Sequence, residues 1–400
     1  MPEFEVFITN RDLTVNRRMY QYTGLSVEHP LNDSRTCKFT CPIYDINAVG
    51  QSNIQHFLPL RRYVKVFYRG RLVFNGPIIK PIFNLAENRV EVNAHDPTFW
   101  WKYHHFSEED VALHDGVKVN GDGLWDMADA ANLNSQEAAA GFLSPGIVEG
   151  PTENYLLPGE EERRRYRVER GAGVFDQVAE MASFVDGPDW EVVPIDLNHD
   201  PDGVYEAGAL GMFRAYEELS RDREDTVVFH YGWGRMNLSN FIYEPDANTV
   251  RNRMVIESQR GALRVAKYVD GMEEVGIMEG WESALGRHPT AESMTFQAHE
   301  TVEAYGEPLS TFTIEPTWDQ GLMGSAIATP WRYPNGYRPG DRIRAVAKLG
   351  RFAQDLTGRV TKVTLNQLDQ AENAQSQIEV IPEQVATFEI DEHDYISDAT

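Results

Sequence analysis

The sequence predicts a mainly β protein of the α+β class that is divided into several domains. Two clusters of strand-like segments, within residues 1–106 and within residues 223–262 plus 307–382, are separated by stretches with helical periodicity. The chain has 400 residues, whereas a single hydrophobic core stops growing at about 250 to 300 residues. Its 42% hydrophobic and 25% charged residues are typical of a folded protein with a sizeable core.

The first hundred residues predict a meander of β-strands. Tyr63–Tyr68 alternates between apolar and polar residues, the turn Arg69-Gly70 follows, and Arg71–Asn75 returns at once. Residues 63–75 therefore predict a hairpin. Other strand-like segments of this region are Phe4–Ile8, Cys37–Ile43, Pro77–Phe83 and Val90–Ala94.

The pattern Gly-x-Gly-aliphatic-aromatic-Asp occurs twice, at Gly121–Asp126 and at Gly171–Asp176. Apolar residues continue after each copy at the spacing of an amphipathic helix that packs on a sheet. Each copy therefore predicts a helix start, with its Asp near backbone amides and its aromatic residue, Trp125 or Phe175, buried.

The later part of the chain predicts further strands and one long helix. Ser135–Arg165 is rich in Pro and Gly and is interpreted as a long loop or insertion. Thr290–Tyr305 predicts a helix that ends before Gly306. The strand-like segments are Asp189–Pro194, Thr226–Tyr231, Arg253–Glu257, Leu263–Tyr268, Leu309–Glu315, Arg342–Ala347, Gly358–Leu365 and Ser376–Ile381.

These patterns divide the chain into five parts. The assignment is residues 1–106 as a first β domain, 107–222 as an α/β domain with a long loop, 223–262 and 307–382 as a second β domain, 263–306 as a small inserted domain, and 383–400 as a tail. Residues 387–400 hold five acidic residues and no Lys or Arg, so we expect this tail to be loosely ordered.

The two cysteines, Cys37 and Cys41, are four residues apart in a predicted strand. Residues at that spacing lie about 13 Å apart, whereas the Cα atoms of a disulfide lie about 4.4 to 6.8 Å apart. We therefore expect two reduced, buried thiols. No second Cys or His pair at metal-ligand spacing accompanies them, which argues against a zinc site.

The chain carries 37 basic and 62 acidic residues, a net charge of −25. A protein with this charge repels nucleic acid phosphates over most of its surface, so we predict no specific nucleic acid binding. The sequence shows no export signal and no apolar run long enough to span a membrane, so we expect no stable membrane insertion.

Several motifs imitate functional sites incompletely. Gly171–Gly173 resembles a dinucleotide-binding turn, but Asp176 stands where the third Gly belongs, and helix capping explains an acid there. Asn198–Gly203 imitates a calcium loop, but Ala209 replaces the final Glu ligand. His104 and His105 have no helical partner at metal spacing, so we read them as surface or packing residues.

Other enzyme constellations are equally incomplete. Serine hydrolase, zinc protease and Walker motifs are absent from the sequence. The many acids allow a glycosidase pair to be imagined, but the separation of two carboxyl groups depends on the fold. Trp100 and Trp101 could line a sugar groove, although core packing is the simpler reading. We predict no enzymatic activity, no catalytic residue, no cofactor and no metal ligand.

The order of segments resembles the minor tail proteins of siphophages, especially those of phages that infect actinobacteria. The first β domain carries Val66-Phe-Tyr-Arg-Gly-Arg-Leu-Val-Phe-Asn-Gly-Pro77 and later Val90-Glu-Val-Asn-Ala-His-Asp96. The similarity spans nearly the whole chain. It continues through Gly173–Ala182, Asp189–Val193, Phe229–Gly232, Asn248–Ile256, Tyr337–Ile343 and Gly358–Val360.

The resemblance implies a baseplate hub at the tail tip. In that family three chains form a trimer, and each chain contributes two tail-tube-like β barrels to a six-barrel ring that extends the tail tube. The smaller domains would decorate this ring. Expected partners are the chain itself, the distal tail ring protein, the tape measure protein and other tail-tip proteins, while DNA passes through the channel. The protein would be made in the host cytoplasm and assembled into the virion.

Two matters stay open at this point. The chain could instead be a tail-tip protein that binds cell-wall polysaccharide or degrades peptidoglycan, or an unrelated soluble enzyme with a deep apolar pocket. The net negative charge could favour the passage of DNA through a channel, or it could serve only to keep the protein soluble. A conduit predicts an axial lumen with more Asp and Glu than Lys and Arg.

Overall fold

The computed structural model confirms a mainly β protein of the α+β class. The structure describes residues 4–10, 16–43, 56–106, 117–118, 122–129, 147–152, 165–166, 170–183, 187–195, 210–216, 221–232, 237–258, 263–267, 276–283, 291–306, 309–316, 337–349, 352–367 and 374–382. Most of the predicted loop 135–165, the calcium-like turn and the acidic tail lie outside these residues.

The strands fall into three groups along the chain. The first group is β1 (Phe4–Asn10), β2 (Asn16–Met19), β3 (Thr23–Pro30), β4 (Thr36–Pro42), β5 (Arg62–Tyr68), β6 (Arg71–Asn84) and β7 (Arg89–His95). The second is β8 (Val117–Lys118), β9 (Ile147–Thr152), β10 (Arg165–Tyr166), β11 (Asp189–Pro194) and β12 (Gly211–Tyr216). The third is β13 (Val228–Gly232), β14 (Leu238–Asp246), β15 (Arg253–Glu257), β16 (Leu263–Lys267), β17 (Glu279–Ser283), β18 (Leu309–Pro316), β19 (Arg342–Leu349), β20 (Phe352–Gln367) and β21 (Ala374–Pro382).

The described helices are fewer than the strands. A 3₁₀ helix covers Pro97–Tyr103 and begins at Asp96, whose carboxylate accepts a hydrogen bond from the Thr98 amide at 3.1 Å. The α-helices are residues 122–129, Val174–Ala182 and Ala291–Tyr305, with a further 3₁₀ turn at Ala247–Thr249. None of the described helices is long and apolar enough to cross a membrane.

One large sheet contains two units with the same strand order. The first β unit pairs its strands in the order β1-β5-β6-β7-β4-β3, and the second β unit pairs them as β13-β19-β20-β21-β18-β14. Strands at matching places also follow each other in the same order along the chain. One difference is that β1 lies antiparallel to β5, whereas β13 lies parallel to β19.

In each unit, one long strand changes its partner strand partway along its length, and we call the point of change the corner. The first half of β6 pairs with β5 and its second half with β7, and β20 is shared in the same way between β19 and β21. Gly76 and Gly358 occupy the two corners, where glycine allows close backbone approach. A Cβ atom at Gly76 would lie 1.8 Å from the His95 carbonyl oxygen.

Three smaller sheets occur in the remaining described domains, and the smallest pairs β8 with β10 over two residue pairs. The sheet β11-β12-β9 packs against helices 122–129 and Val174–Ala182 around a core that includes Trp101, Trp190 and Phe213. The sheet β16-β15-β17 packs against Ala291–Tyr305 through Met254, Ile256 and other apolar residues. Each domain thus buries one sheet face under a helix, as the periodicities predict.

The structure confirms many local predictions. The hairpin at residues 63–75 is present, and Arg69 and Gly70 both have positive φ, at 51° and 79°. Cys37 and Cys41 are free and buried. The second Gly-x-Gly repeat leads into Val174–Ala182, whereas Gly123 of the first already lies within helix 122–129. Phe175 is buried and Trp125 is partly buried, and Asp176 lies in the first turn of its helix.

Other predictions need correction. The described strands show no closed barrel, because the two end strands of each unit, β1 and β3 or β13 and β14, do not pair with each other. Arg253–Glu257, predicted for the second barrel, pairs with β16 and β17 in the small domain. Pro77–Phe83 is not a separate strand, since β6 runs unbroken through it to Asn84. The strands that the sequence did not predict are β2, β3, β8, β9, β12, β14 and β17, of which β2, β3 and β14 belong to the large sheet. Strand β9 lies within the predicted loop Ser135–Arg165, and it pairs with β12.

Candidate functional site

The candidate site is the seam where the two β units join, because charged residues from three domains meet beside it around one buried carboxylate. Ser26–Pro30 of β3 pairs antiparallel with Lys362–Asn366 of β20, in five residue pairs. The Leu31 amide extends the seam by donating to the Thr361 carbonyl at 2.7 Å. Val27, Val363 and Leu365 are buried there in one core shared by both units.

Glu191 of β11 lies beside this seam with only 8% of its side chain exposed. Its Oε2 accepts a hydrogen bond from Arg35 Nη2 at 3.0 Å and lies 3.3 Å from His29 Nε2. Its Oε1 lies 3.8 Å from guanidinium nitrogens of both Arg214 and Arg338. The carboxylate therefore interacts with the first β unit, the second β unit and its own middle domain.

The ionisation of this cluster follows from its partners. Burial alone would raise the pKa of Glu191, but the hydrogen bond from His29 and the charge of Arg35 outweigh burial and lower it to about 2. Burial and the Arg35 charge lower the pKa of His29 to about 4. At neutral pH, Glu191 is therefore charged and His29 is neutral.

A second set of contacts ties β11 to the seam. Asn32, in the turn between β3 and β4, has a φ of 56° and donates from Nδ2 to Asp189 at 3.0 Å. Its Oδ1 accepts from the Trp190 amide at 2.7 Å. Asp189 also forms an ion pair with Arg359 of β20. The middle domain thus contacts both β units at once. We call the contacts of Asp189, Trp190 and Glu191 with the two units the clamp.

Residues considered for nucleotide binding have another role. The Gly171 amide donates to the Phe106 carbonyl at 2.9 Å, and the Val174 amide donates to the His104 carbonyl at 2.9 Å. Backbone carbonyls therefore occupy amides that a phosphate would need at this helix start. His105 forms an isolated β-bridge with Gly173.

Most residues considered for metal or sugar binding can be placed, although the calcium-like turn lies outside the described residues. No group of three or more His, Cys, Asp or Glu that could hold a metal ion occurs among the described residues. Trp101 is fully buried, and its ring centroid lies 5.8 Å from those of Trp190 and Phe213. Trp101 is thus a core residue, as the simpler reading predicted.

Sequence reasoning did not find the clamp. One signal was available, since Glu191 interrupts the apolar run Asp189–Pro194 of a strand that is mostly buried. A charged residue at such a place needs a partner. Its partners His29, Arg35 and Arg338 lie more than a hundred residues away along the chain, so spacing could not reveal them.

Comparison with solved structures finds the same fold in tail proteins. The tail protein from Neisseria meningitidis MC58 matches with a TM-score of 0.56 and 11% identity, over 95% of this chain and 97% of that one. The 43 kDa tail protein of prophage MuSo2 from Shewanella oneidensis matches with a TM-score of 0.58 and 10% identity, over 94% and 98%. The predicted resemblance to phage tail proteins is confirmed for the fold.

Comparison at the level of sequence finds no counterpart. No protein-family model matches the chain, and a search of curated proteins finds no match either. The likeness is therefore one of fold, at sequence identities of 10% to 11%.

Proposed function

We propose that the chain is a structural protein of a phage tail and that three copies form the hub at the tail tip. One observation carries the proposal: a fold shared with two tail proteins contains the same six-strand unit twice. Three chains then supply six equivalent units, and these units can form a closed ring around an axis. The domain assignment, with two tube-forming units and two decorating domains, belongs to this proposal.

The clamp at Glu191 fits such a role. A ring that extends a tube keeps its shape only if the two units within each chain hold a fixed relation. Three arginines and a histidine around one buried carboxylate, reinforced by the Asp189–Arg359 ion pair, restrict relative movement of the units. The proposed role therefore needs no catalytic group and no cofactor.

The proposed partners follow from the position at the tip. The ring would contact the distal tail ring protein on one side, and the tape measure protein and other tail-tip proteins on the other. DNA would pass through the ring during ejection without specific binding, which suits a net charge of −25 per chain. The protein would be made in the host cytoplasm and reside in the virion.

The mass of the purified protein tests the proposal. Light scattering should give about 137 kDa, three times the 45.5 kDa of one chain. Averaged particle images should show threefold symmetry with an axial opening in at least one state. A stable monomer at all concentrations, or an assembly without threefold symmetry, contradicts the proposal.

A second candidate function, binding of cell-wall polysaccharide, is favoured by Trp281. This side chain is 56% exposed on β17, and its indole Nε1 donates to the Glu257 carboxylate at 3.1 Å. An exposed aromatic ring can stack on a sugar, and a carboxylate beside it can accept hydrogen bonds from the sugar hydroxyls. The test is a sedimentation assay with purified cell walls, in which Trp281→Ala loses binding and Trp281→Phe keeps it; release of peptidoglycan fragments would indicate hydrolysis instead.

A further inference from the structure

The internal seam pairs a stretch of β3 with a stretch of β20, and each stretch has a counterpart at an exposed strand edge in the other β unit. In both β units the register shifts just after the corner, following Ile78 in β6 and Val360 in β20. Counting from that shift, Lys80–Asn84 in the first unit corresponds to Lys362–Asn366 in the second. The latter stretch is the one that β3 covers at the internal seam.

Exposure differs sharply between these two stretches. In the second unit, Thr364 is 8% exposed and Leu365 is 2% exposed, because β3 lies beside them. Their counterparts Ile82 and Phe83 are 44% and 37% exposed. Among the described strands, Lys80–Asn84 pairs with β7 alone. Two apolar side chains therefore remain in solvent at a strand edge that is covered in the other unit.

The second unit carries the matching strand. Val27 of β3 lies opposite Cys37 of β4, and Tyr243 of β14 lies opposite Phe312 of β18. Cys37 and Phe312 occupy the same register position relative to the corner strands. Tyr243 is therefore the counterpart of Val27.

By this register, Ile242–Asp246 of β14 corresponds to Ser26–Pro30 of β3. In the described part of the sheet, β14 is a terminal strand that pairs with β18. Ile242 is 39% exposed. Each chain thus presents two exposed strand edges. Lys80–Asn84 is the counterpart of the β20 stretch of the internal seam, and Ile242–Asp246 is the counterpart of its β3 stretch.

We infer that Lys80–Asn84 of one chain pairs with Ile242–Asp246 of the next chain, in the antiparallel register of the internal seam. This inference rests on the proposed trimer and names the surface that forms it. Because the two edges differ, the contact is head-to-tail, and a ring closes when the last chain meets the first. Three chains then repeat one kind of seam six times, alternately within and between chains.

The residues brought together are complementary. The register places Phe83 opposite Tyr243, an aromatic pair, and Lys80 opposite Asp246, a pair of opposite charges. Pro81 lies opposite Pro245, and neither has an N–H to donate, so this seam forms fewer hydrogen bonds than the internal one. Side-chain contacts therefore supply more of its specificity, and the prolines disfavour pairing of either edge with unrelated strands.

A disulfide cross-link tests the register. Ile82→Cys and Glu244→Cys in one chain place two thiols directly opposite each other across the proposed seam, at a Cα separation of about 4.5 to 5.5 Å that a disulfide spans. Under mild oxidation this variant should form covalent trimers, and either single variant should not. The native Cys37 and Cys41 are buried, and burial raises their thiol pKa values, so they do not compete.

A matched pair controls for nonspecific reaction. Ile82→Cys with Ile242→Cys is displaced by two residues, at a separation of about 7 to 8 Å, and should cross-link at least tenfold more slowly. Equal rates for both pairs contradict the register. A trimeric mass without any cross-link overturns this inference and leaves the proposed function intact, whereas a monomeric mass overturns both.

Charge substitution provides a second test that does not depend on thiols. Phe83→Glu should shift the mass from trimer to monomer, because it places a charge in the seam. Leu85→Glu, at a residue that is 71% exposed just beyond the paired stretch, should leave the trimer unchanged. A Phe83→Glu variant that stays folded by circular dichroism and remains trimeric contradicts the proposed interface.

Discussion

At the scale of single residues, Glu191 connects three domains through one carboxylate. It lies in an apolar strand, and its charge is retained because Arg35 and His29 lie within 3.3 Å of it. Removing one charged residue from such a buried cluster lowers the free energy of unfolding by more than the whole cluster contributes to it, because the remaining charges lose their partner. The cluster contributes here mainly by positioning, since the same contacts join the two β units.

Glu191→Gln should destabilise the protein by about 3 to 5 kcal/mol, because it leaves the buried Arg35 without a compensating charge. Urea unfolding followed by tryptophan fluorescence measures the change. Glu87→Gln is the matched control, since Glu87 pairs with Arg89 on the surface and should change stability by less than about 1 kcal/mol. Similar costs for the two variants would argue against the clamp.

The same cluster predicts a loss of stability in acid. The folded-state pKa values of His29, about 4, and Glu191, about 2, both lie below their ordinary values of 6.5 and 4.5. Both groups therefore bind protons more readily when unfolded, and stability falls as pH falls from about 6.5 to 4 for His29 and from about 4.5 to 2 for Glu191. Below about pH 4.5, where Glu191 titrates, unfolding curves should show a steeper pH dependence for the wild type than for Glu191→Gln, whereas the His29 contribution at higher pH should remain in the variant.

Phe175→Ala should cost about 3 to 5 kcal/mol, as expected for truncation of a buried ring. Phe175 is 9% exposed, its ring centroid lies 6.1 Å from that of Trp190, and Lys102 Nζ lies 4.3 Å from its centroid. Phe175→Leu, which keeps most of the volume, should cost markedly less. Denaturant midpoints of the two variants provide the measurement, and equal costs would contradict the packing role.

At the scale of elements, the long strands β6 and β20 give each unit its corner. Both pass from one partner strand to another at a glycine, and both shift register just afterwards. A strand with a side chain at the corner could not approach its neighbour as closely. The glycine at the corner therefore permits the close backbone approach at which the strand changes its partner.

Gly76→Ala should destabilise the protein by about 3 kcal/mol, because its Cβ would overlap the His95 carbonyl oxygen. Gly70→Ala is the control: its φ is 79°, but no atom lies within 4 Å of the added Cβ, so only about 1 kcal/mol of backbone strain is expected. Thermal unfolding of both variants makes the comparison. A larger cost at Gly70 would show that the turn, and not the corner, limits stability.

At the scale of the whole molecule, the net charge of −25 constrains what the assembly can do. A polyanion passes through a channel most freely when no cation on the wall pairs with its phosphates. Solubility requires acids anywhere on the surface, whereas a conduit requires them at the axis. The location of the acids therefore separates the two explanations.

We expect an axial lumen with more Asp and Glu than Lys and Arg, visible in averaged images of the assembled hub. Duplex DNA should also show no retention on the purified protein at about 50 mM salt, because no counterion release favours it. A lumen lined mainly by basic residues, or an assembly without an axial opening in any state, contradicts the conduit.

The sequence by itself determined the local elements. The hairpin at Arg69-Gly70 follows from two alternating segments joined by a turn that contains glycine. Helix Val174–Ala182 follows from apolar periodicity, and helix Ala291–Tyr305 follows from an N-cap Thr or Ser and the stop at Gly306. The mainly β class follows from the sum of such segments. All of these depend on interactions between residues close in the chain, which one sequence records directly.

The tertiary structure alone decided how the elements meet. The seam joins Ser26–Pro30 to Lys362–Asn366, and the clamp joins Glu191 to Arg35 and Arg338. Such pairings are selected by the shared core and by the free energy of burying charge with its partners, over separations of hundreds of residues. Periodicity and spacing within the sequence record which face of a strand is buried, but not which distant strand or charge covers it.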